Sequence, residues 1–119
     1  MQYADGKFSS GFKRFADIMK CRNRPTLIIA ENDIIAQGAC YKSNELGITI
    51  PDDVSIIGAG NWEICEFLNP KLTSYALNAD KLDAALISSI LQRLDNPDSP
   101  CKITRIAGEI VERDSCRKI

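Results

Sequence analysis

Asp33, Glu63 and Cys65 are the side chains best placed for chemistry, because each follows closely on a short apolar run that reads as a strand. A carboxylate there could move a proton, and a thiolate could attack an electrophile. What is missing restricts them: the 119 residues include no histidine. That removes Ser-His-Asp and Cys-His pairs, the usual zinc sites and the commonest general base near neutral pH. The five cysteines, at 21, 40, 65, 101 and 116, are odd in number and contain no Cys-x-x-Cys pair. They read as free thiols in a reducing compartment, with Cys40 and Cys65 as small core residues on apolar faces. Neither a metal nor a cofactor is expected, and an enzyme would have to work with carboxylates, lysines or a bare cysteine.

The elements that must hold such groups centre on the stretch from Arg24 to Gly60. Thr26 to Ala30 is almost wholly apolar, which suits a parallel strand covered on both faces. Asn32 and Asp33 follow, residue types that cap helices. Ile35, Ala36, Ala39 and Cys40 give the next segment an apolar stripe at helical period, and Gly47 stops it. Pro51-Asp52-Asp53 makes a turn, and Val54 to Ile57 is a second buried strand ending at Gly58-Ala59-Gly60. Both strands deliver their carboxyl ends to one sheet edge, where open α/β folds hold ligands.

Outside this unit, Met1 to Gly6 is polar and unpatterned. Ser9 and Ser10 are candidates to cap a helix whose Phe12, Phe15, Ala16 and Met19 face inward. Asn61 is a candidate cap for a short helix with Ile64, Cys65 and Leu68 inside, ended by Asn69-Pro70. Leu72 to Leu77 is extended. Asn78 then caps a helix with the stripe Leu82, Ala85, Leu86, Ser89 and Ile90, closed by Asp95-Asn96-Pro97. Two β-like runs follow, Lys102 to Ile106 and Glu109 to Arg113. The order predicts an α/β fold with a mainly parallel, Rossmann-like sheet flanked by helices. A leading helix with no strand before it suggests that the chain starts inside a domain.

Length bounds the chain at one domain, or part of one. A net charge of −1 offers no field for nucleic acid or anionic lipid. The basic clusters (Lys13, Arg14, Lys20, Arg22, Arg24, Arg117, Lys118) are diluted by acids and read as solvated surface. No apolar run reaches membrane-spanning length and no signal-peptide pattern opens the chain, so a cytoplasmic protein without membrane contact is expected.

From Phe8 onward the sequence resembles the C-terminal part of the LacI/GalR family of ligand-responsive transcriptional regulators. The resemblance rests on Gly11-Phe12, Arg24-Pro25-Thr26, Asn32-Asp33-x-x-Ala36-x-Gly38-Ala39 and Glu45-Leu46-Gly47. It continues through Ile50-Pro51-x-Asp53-Val54-Ser55-x-Ile57-Gly58, Pro70-x-Leu72-Thr73 and the closing Val111-x-Arg113-x-Ser115. It implies the C-terminal lobe of a periplasmic-binding-protein-like type I domain, residues 1–119 being a single partial domain. About 74–94 would be a segment that crosses to the other lobe, and no helix-turn-helix headpiece is present. The implied function is binding of a small effector, a sugar or sugar acid, in a cleft between lobes, coupled to DNA through a headpiece and a homodimer.

The resemblance also points to residues. Phe8 falls where the family places an aromatic that stacks on the ligand; packing under the first helix is the alternative. Asn32 matches a ligand-contacting position, with helix capping the alternative; Asp33 is the expected cap. Gly60 stands where many relatives carry an aspartate, and Gly-Ala-Gly-Asn-Trp-Glu resembles a variant among regulators of sugar-acid type. Losing that carboxylate would favour an anionic ligand by sparing like-charge repulsion. Asn61, or the N–H groups after it, could take over the contact; a plain turn is the alternative. Trp62 could be rim, core or partner contact. Gln37, Tyr41, Phe67 and Leu68 match positions on the family's dimer face, with core packing the competing reading for Phe67 and Leu68. A lobe of a sugar-binding transport protein is the rival in another class, and a small enzyme a third.

Overall fold

The computed structural model describes residues 6–118; the polar start expected over residues 1–5 lies outside them. By packing, the chain divides into one unit of residues up to Ala76 together with those from Ile110, and a second unit, Leu77–Glu109.

In the first unit, helix α1 (Phe8–Met19) buries Gly11, Phe15 and Met19. It begins earlier than expected. Lys7 occupies the cap position with no capping bond from its side chain, so Ser9 and Ser10 lie inside the first turn and do not cap it. Strand β1 (Leu27–Ile29), helix α2 (Asp33–Leu46), strand β2 (Ser55–Ala59) and strand β3 (Thr73–Ala76) follow, with strand β4 (Glu109–Val111) near the end. The sheet has the order β1-β2-β3-β4, and β1, β2 and β3 run parallel, with Ile28 opposite Ile56 and Gly58 opposite Ser74. The sequence places Gly47 at the end of α2, and there it adopts φ 66°, the left-handed region where an absent Cβ removes the steric penalty.

Two glycines set how closely α1 and α2 approach. A Cβ on Gly11 would lie 1.9 Å from the Ile35 carbonyl oxygen, and one on Gly38 would lie 2.1 Å from that of Phe8. The helices therefore meet backbone to backbone, and no other residue fits at either contact. Beneath them lies a core of Phe15, Met19, Ala36, Ala39, Cys40, Ile50, Val54, Ile56, Cys65 and Leu72. Each of the largest, Phe15, Ile56 and Leu72, is fully buried and contributes about 1.5–3 kcal/mol.

Strand β1 is not covered on both faces as its apolar run suggests. It is the edge of the sheet, and Ile29 is 73% exposed. Beside it an open apolar groove is lined by Gly11, Phe15, Ile18, Ile28, Ala30 and Ile35. The short helix after β2 is a 3-10 turn, Glu63–Glu66, headed by Trp62, and Asn61 does not cap it.

The second unit consists mainly of helix α3 (Ala79–Asp95), capped by Asn78, whose Oδ1 accepts the Lys81 N–H at 3.0 Å. The expected stripe is not buried within it. Leu82 and Ala85 are half-covered, whereas Leu86, Ile87, Ile90, Leu91 and Leu94 are exposed. Lys102 to Ile106, expected as a strand, forms none. Among the described residues no helix is long and apolar enough to cross a membrane.

Candidate functional site

The parallel register carries the ends of β1 and β2 to the same edge, and one carboxylate ties them together there. Asp33, in the first turn of α2, is 1% exposed. Its Oδ1 accepts the Ser74 hydroxyl at 2.6 Å, and its Oδ2 accepts the Trp62 main-chain N–H at 2.8 Å. The positive end of the α2 dipole favours a carboxylate at this position. A Cβ on Gly58 would lie 2.2 Å from Oδ1, so glycine at 58 makes room for the carboxylate itself.

The helix cap is the neighbouring residue, contrary to the sequence expectation for Asp33. Asn32 Oδ1 accepts the Ile35 N–H at 2.8 Å, and Asn32 Nδ2 donates to the Gly6 carbonyl at 3.2 Å. A short polar side chain one residue before the helix reaches its free N–H groups; Asp33 is already inside the first turn and turns toward the sheet.

The loop after β2 is fixed along its length. Gly60 N–H donates to the Tyr75 carbonyl, and Asn61 N–H to the Ser74 hydroxyl oxygen at 3.0 Å. Gly60 has φ 121°, and a Cβ there would lie 2.8 Å from the Trp62 indole Nε1. Asn61 is left-handed, with φ 52°, a region that asparagine tolerates better than most residues. Trp62 is 56% exposed.

The closing Val-x-Arg-x-Ser stretch anchors this loop. Arg113 Nη2 donates to Asn61 Oδ1 at 2.8 Å, Nη1 to the Leu72 carbonyl at 2.9 Å, and Nε to Glu66 at 2.5 Å. With Lys71 also paired to it, Glu66 is held below its ordinary carboxyl range, chiefly by the Arg113 hydrogen bond. Ser115 bridges the central strands: its hydroxyl donates to the Ile56 carbonyl at 2.6 Å and accepts the Thr73 N–H at 2.8 Å. The role of Arg113 at the site was not foreseen from sequence; the Val-x-Arg-x-Ser spacing was the available signal.

The remaining candidates divide. Phe8 is half-buried and packs edge-on to Tyr41, centroids 5.4 Å apart, and against Phe12 at 6.0 Å. Gln37 is half-buried and Tyr41 exposed on α2. Phe67 is 72% exposed, whereas Leu68 packs on the core. Cys65 is fully buried beside Asp33, and burial, then the carboxylate's charge, push its thiol up to about 11. Cys40 is pushed up to about 12, mainly by burial. Neutral thiols of this kind are poor nucleophiles. Both Asp33 oxygens accept hydrogen bonds from neighbouring groups of the fold, an arrangement that supports the loop after β2.

A sequence profile of the periplasmic binding protein-like domain family matches residues 2–116. Among curated proteins, the HTH-type transcriptional repressor PurR of Pectobacterium atrosepticum is 30% identical over 89% of this chain, which spans 31% of that repressor's length. A LacI family transcriptional regulator from Enterococcus faecalis V583, solved with bound ribose, superposes with a TM-score of 0.81 at 30% identity. That match covers 94% of this chain and 41% of the regulator. A LacI-family sugar-binding transcriptional regulator from Escherichia coli, complexed with phosphate, gives a TM-score of 0.78 at 26% identity. It covers 92% of this chain and 39% of the other.

Proposed function

The chain belongs to the periplasmic binding protein-like domain family, in the form carried by LacI-family regulators, and from that premise we propose that it forms the effector-sensing part of a DNA-binding transcriptional regulator. The effector is a small sugar-like or sugar-acid molecule, held at the edge where the loops after β1 and β2 meet. In this reading Phe8, Asn32, Gly60 and Asn61 contact the effector and the buried Asp33 supports them from behind. Binding is coupled to DNA through a helix-turn-helix headpiece outside the matched stretch, and through a homodimer that uses Gln37, Tyr41, Phe67 and Leu68. Residues 74–94 belong to the crossover toward the opposite lobe. Action on DNA places the protein in the cytoplasm, and no reaction is catalysed.

The observation that carries this reading is the Asp33 link, which ties the start of α2 to the loop after β2 at the carboxyl edge of a parallel sheet, the edge where such folds hold ligands. Ribose and phosphate in the related regulators support the effector class. The transport-protein alternative shares the fold, but the named relatives are repressors. Calorimetric titration with sugars and sugar acids tests the proposal: saturable heats with at least one are expected, and silence across the panel from a folded sample overturns it.

A further inference from the structure

The loop after β2 holds its hydrogen-bonding groups in one sense. An arginine guanidinium can only donate. With Arg113 Nη2 on the Asn61 amide at 2.8 Å, the amide must turn its oxygen to the arginine and leave its NH2 group over. That nitrogen makes no hydrogen bond among the described residues, and neither does the indole N–H of the exposed Trp62, which stands beside Gly60. Gly60 adds no acceptor, and both oxygens of Asp33 are occupied and buried. The loop's main-chain N–H groups at 60, 61 and 62 are also taken. Among the side chains at 60, 61 and 62 this leaves two donors and no acceptor; the exposed carboxylate of Glu63 follows at the head of the 3-10 turn.

We propose that Arg113 is a positioning residue that holds the Asn61 amide oxygen and leaves its NH2 group free, so that Asn61 Nδ2 and Trp62 Nε1 read an acceptor-only group on the effector, a carboxylate above all. The inference rests on the effector-binding reading above and specifies the chemistry of that same edge. A sugar hydroxyl both donates and accepts, so it uses half of its capacity here; a carboxylate accepts twice, and charge strengthens each bond.

The test uses matched pairs, D-ribose, D-glucose and D-galactose against ribonate, gluconate and galactonate at equal ionic strength. Each is titrated into the whole chain by calorimetry and by the fluorescence of Trp62, the sole tryptophan. For at least one pair the acid is expected to bind about tenfold more tightly than the sugar, the scale of one charged hydrogen bond, with a shift in Trp62 emission. Asn61→Asp, which keeps the shape and suits the left-handed turn but replaces donor with acceptor, should bring the ratio to one or below. Arg113→Lys should lower the ratio while circular dichroism stays unchanged. Sugars bound as tightly as their acids overturn the inference and leave the effector reading standing. Binding of neither overturns both. An acid preference that survives Asn61→Asp and Trp62→Phe overturns the assignment to these donors.

Discussion

Asp33 accepts the main-chain N–H of Trp62 at 2.8 Å, although the two residues are 29 positions apart and belong to different loops of the sheet edge. With the Ser74 hydroxyl on its other oxygen, the carboxylate is a junction of helix, loop and strand. Asp33→Asn keeps the size but sets an NH2 against one of the two donors. The expected loss is about 2–4 kcal/mol, a charged hydrogen bond plus an unsatisfied donor. Urea unfolding measures it; a loss below about 0.5 kcal/mol would show that the junction does not support the fold.

Gly38→Ala and Gly47→Ala separate two reasons for glycine. At 38 the new methyl would lie 2.1 Å from the Phe8 carbonyl oxygen; at 47 nothing lies within 4 Å, and only φ 66° is unfavourable. Gly47→Ala should cost about 1 kcal/mol and Gly38→Ala clearly more, because α1 must move off α2. Equal thermal shifts in the two variants would contradict the backbone-to-backbone contact.

The thiols should sort by burial. Cys21 and Cys101 are exposed and should react quickly with an aromatic disulfide at pH 8, whereas Cys40 and Cys65 should wait for unfolding. For Cys40 and Cys65 the folded pKa lies above the ordinary 9.0, so the native state favours the neutral thiol. The resulting stability is complete below pH 9 and is lost as pH rises toward about 11 and 12. Midpoints of urea unfolding should fall across that range, and Cys40→Ala should flatten the fall.

Glu66 has the opposite sign. Its folded pKa lies below the ordinary 4.5, so pairing with Arg113 and Lys71 adds stability above that value and loses it as pH falls through the lowered one. Glu66→Gln should remove part of the acid slope. Glu66 itself is exposed, so added salt should shrink the difference. An acid slope identical in both proteins would detach the ion pair from stability.

Edge strand β1, with Ile29 exposed above an apolar groove, is open to pairing with another chain. Sedimentation of the isolated chain should show association that grows with concentration. Ile29→Lys should reduce it, and a strictly monomeric sample at high concentration would refute this.

Much of the fold was legible because its signals were local. The apolar runs at 26–30 and 54–57, the helix stop at Gly47 and the cap at Asn78 each follow from residue types within a few positions. The faults arose where distant partners decide. Whether β1 is inner or edge depends on a neighbour, not on its own leucine and isoleucines. The stripe of α3 announces a buried face, yet nothing within its unit covers it. Asn32 and Asp33 were both legible as polar residues at the head of α2, but their division of labour depends on Ser74 and Trp62, 41 and 29 residues from Asp33. Arg113 was visible only as part of a spacing, because its partners span residues 61 to 72.

Ser115 has a consequence in time. It follows Thr73 by 42 residues and Ile56 by 59, yet its hydroxyl adds a bridge between two strands that already pair directly. During synthesis both strands emerge before the residue that joins them, so this bridge closes only once Ser115 has followed.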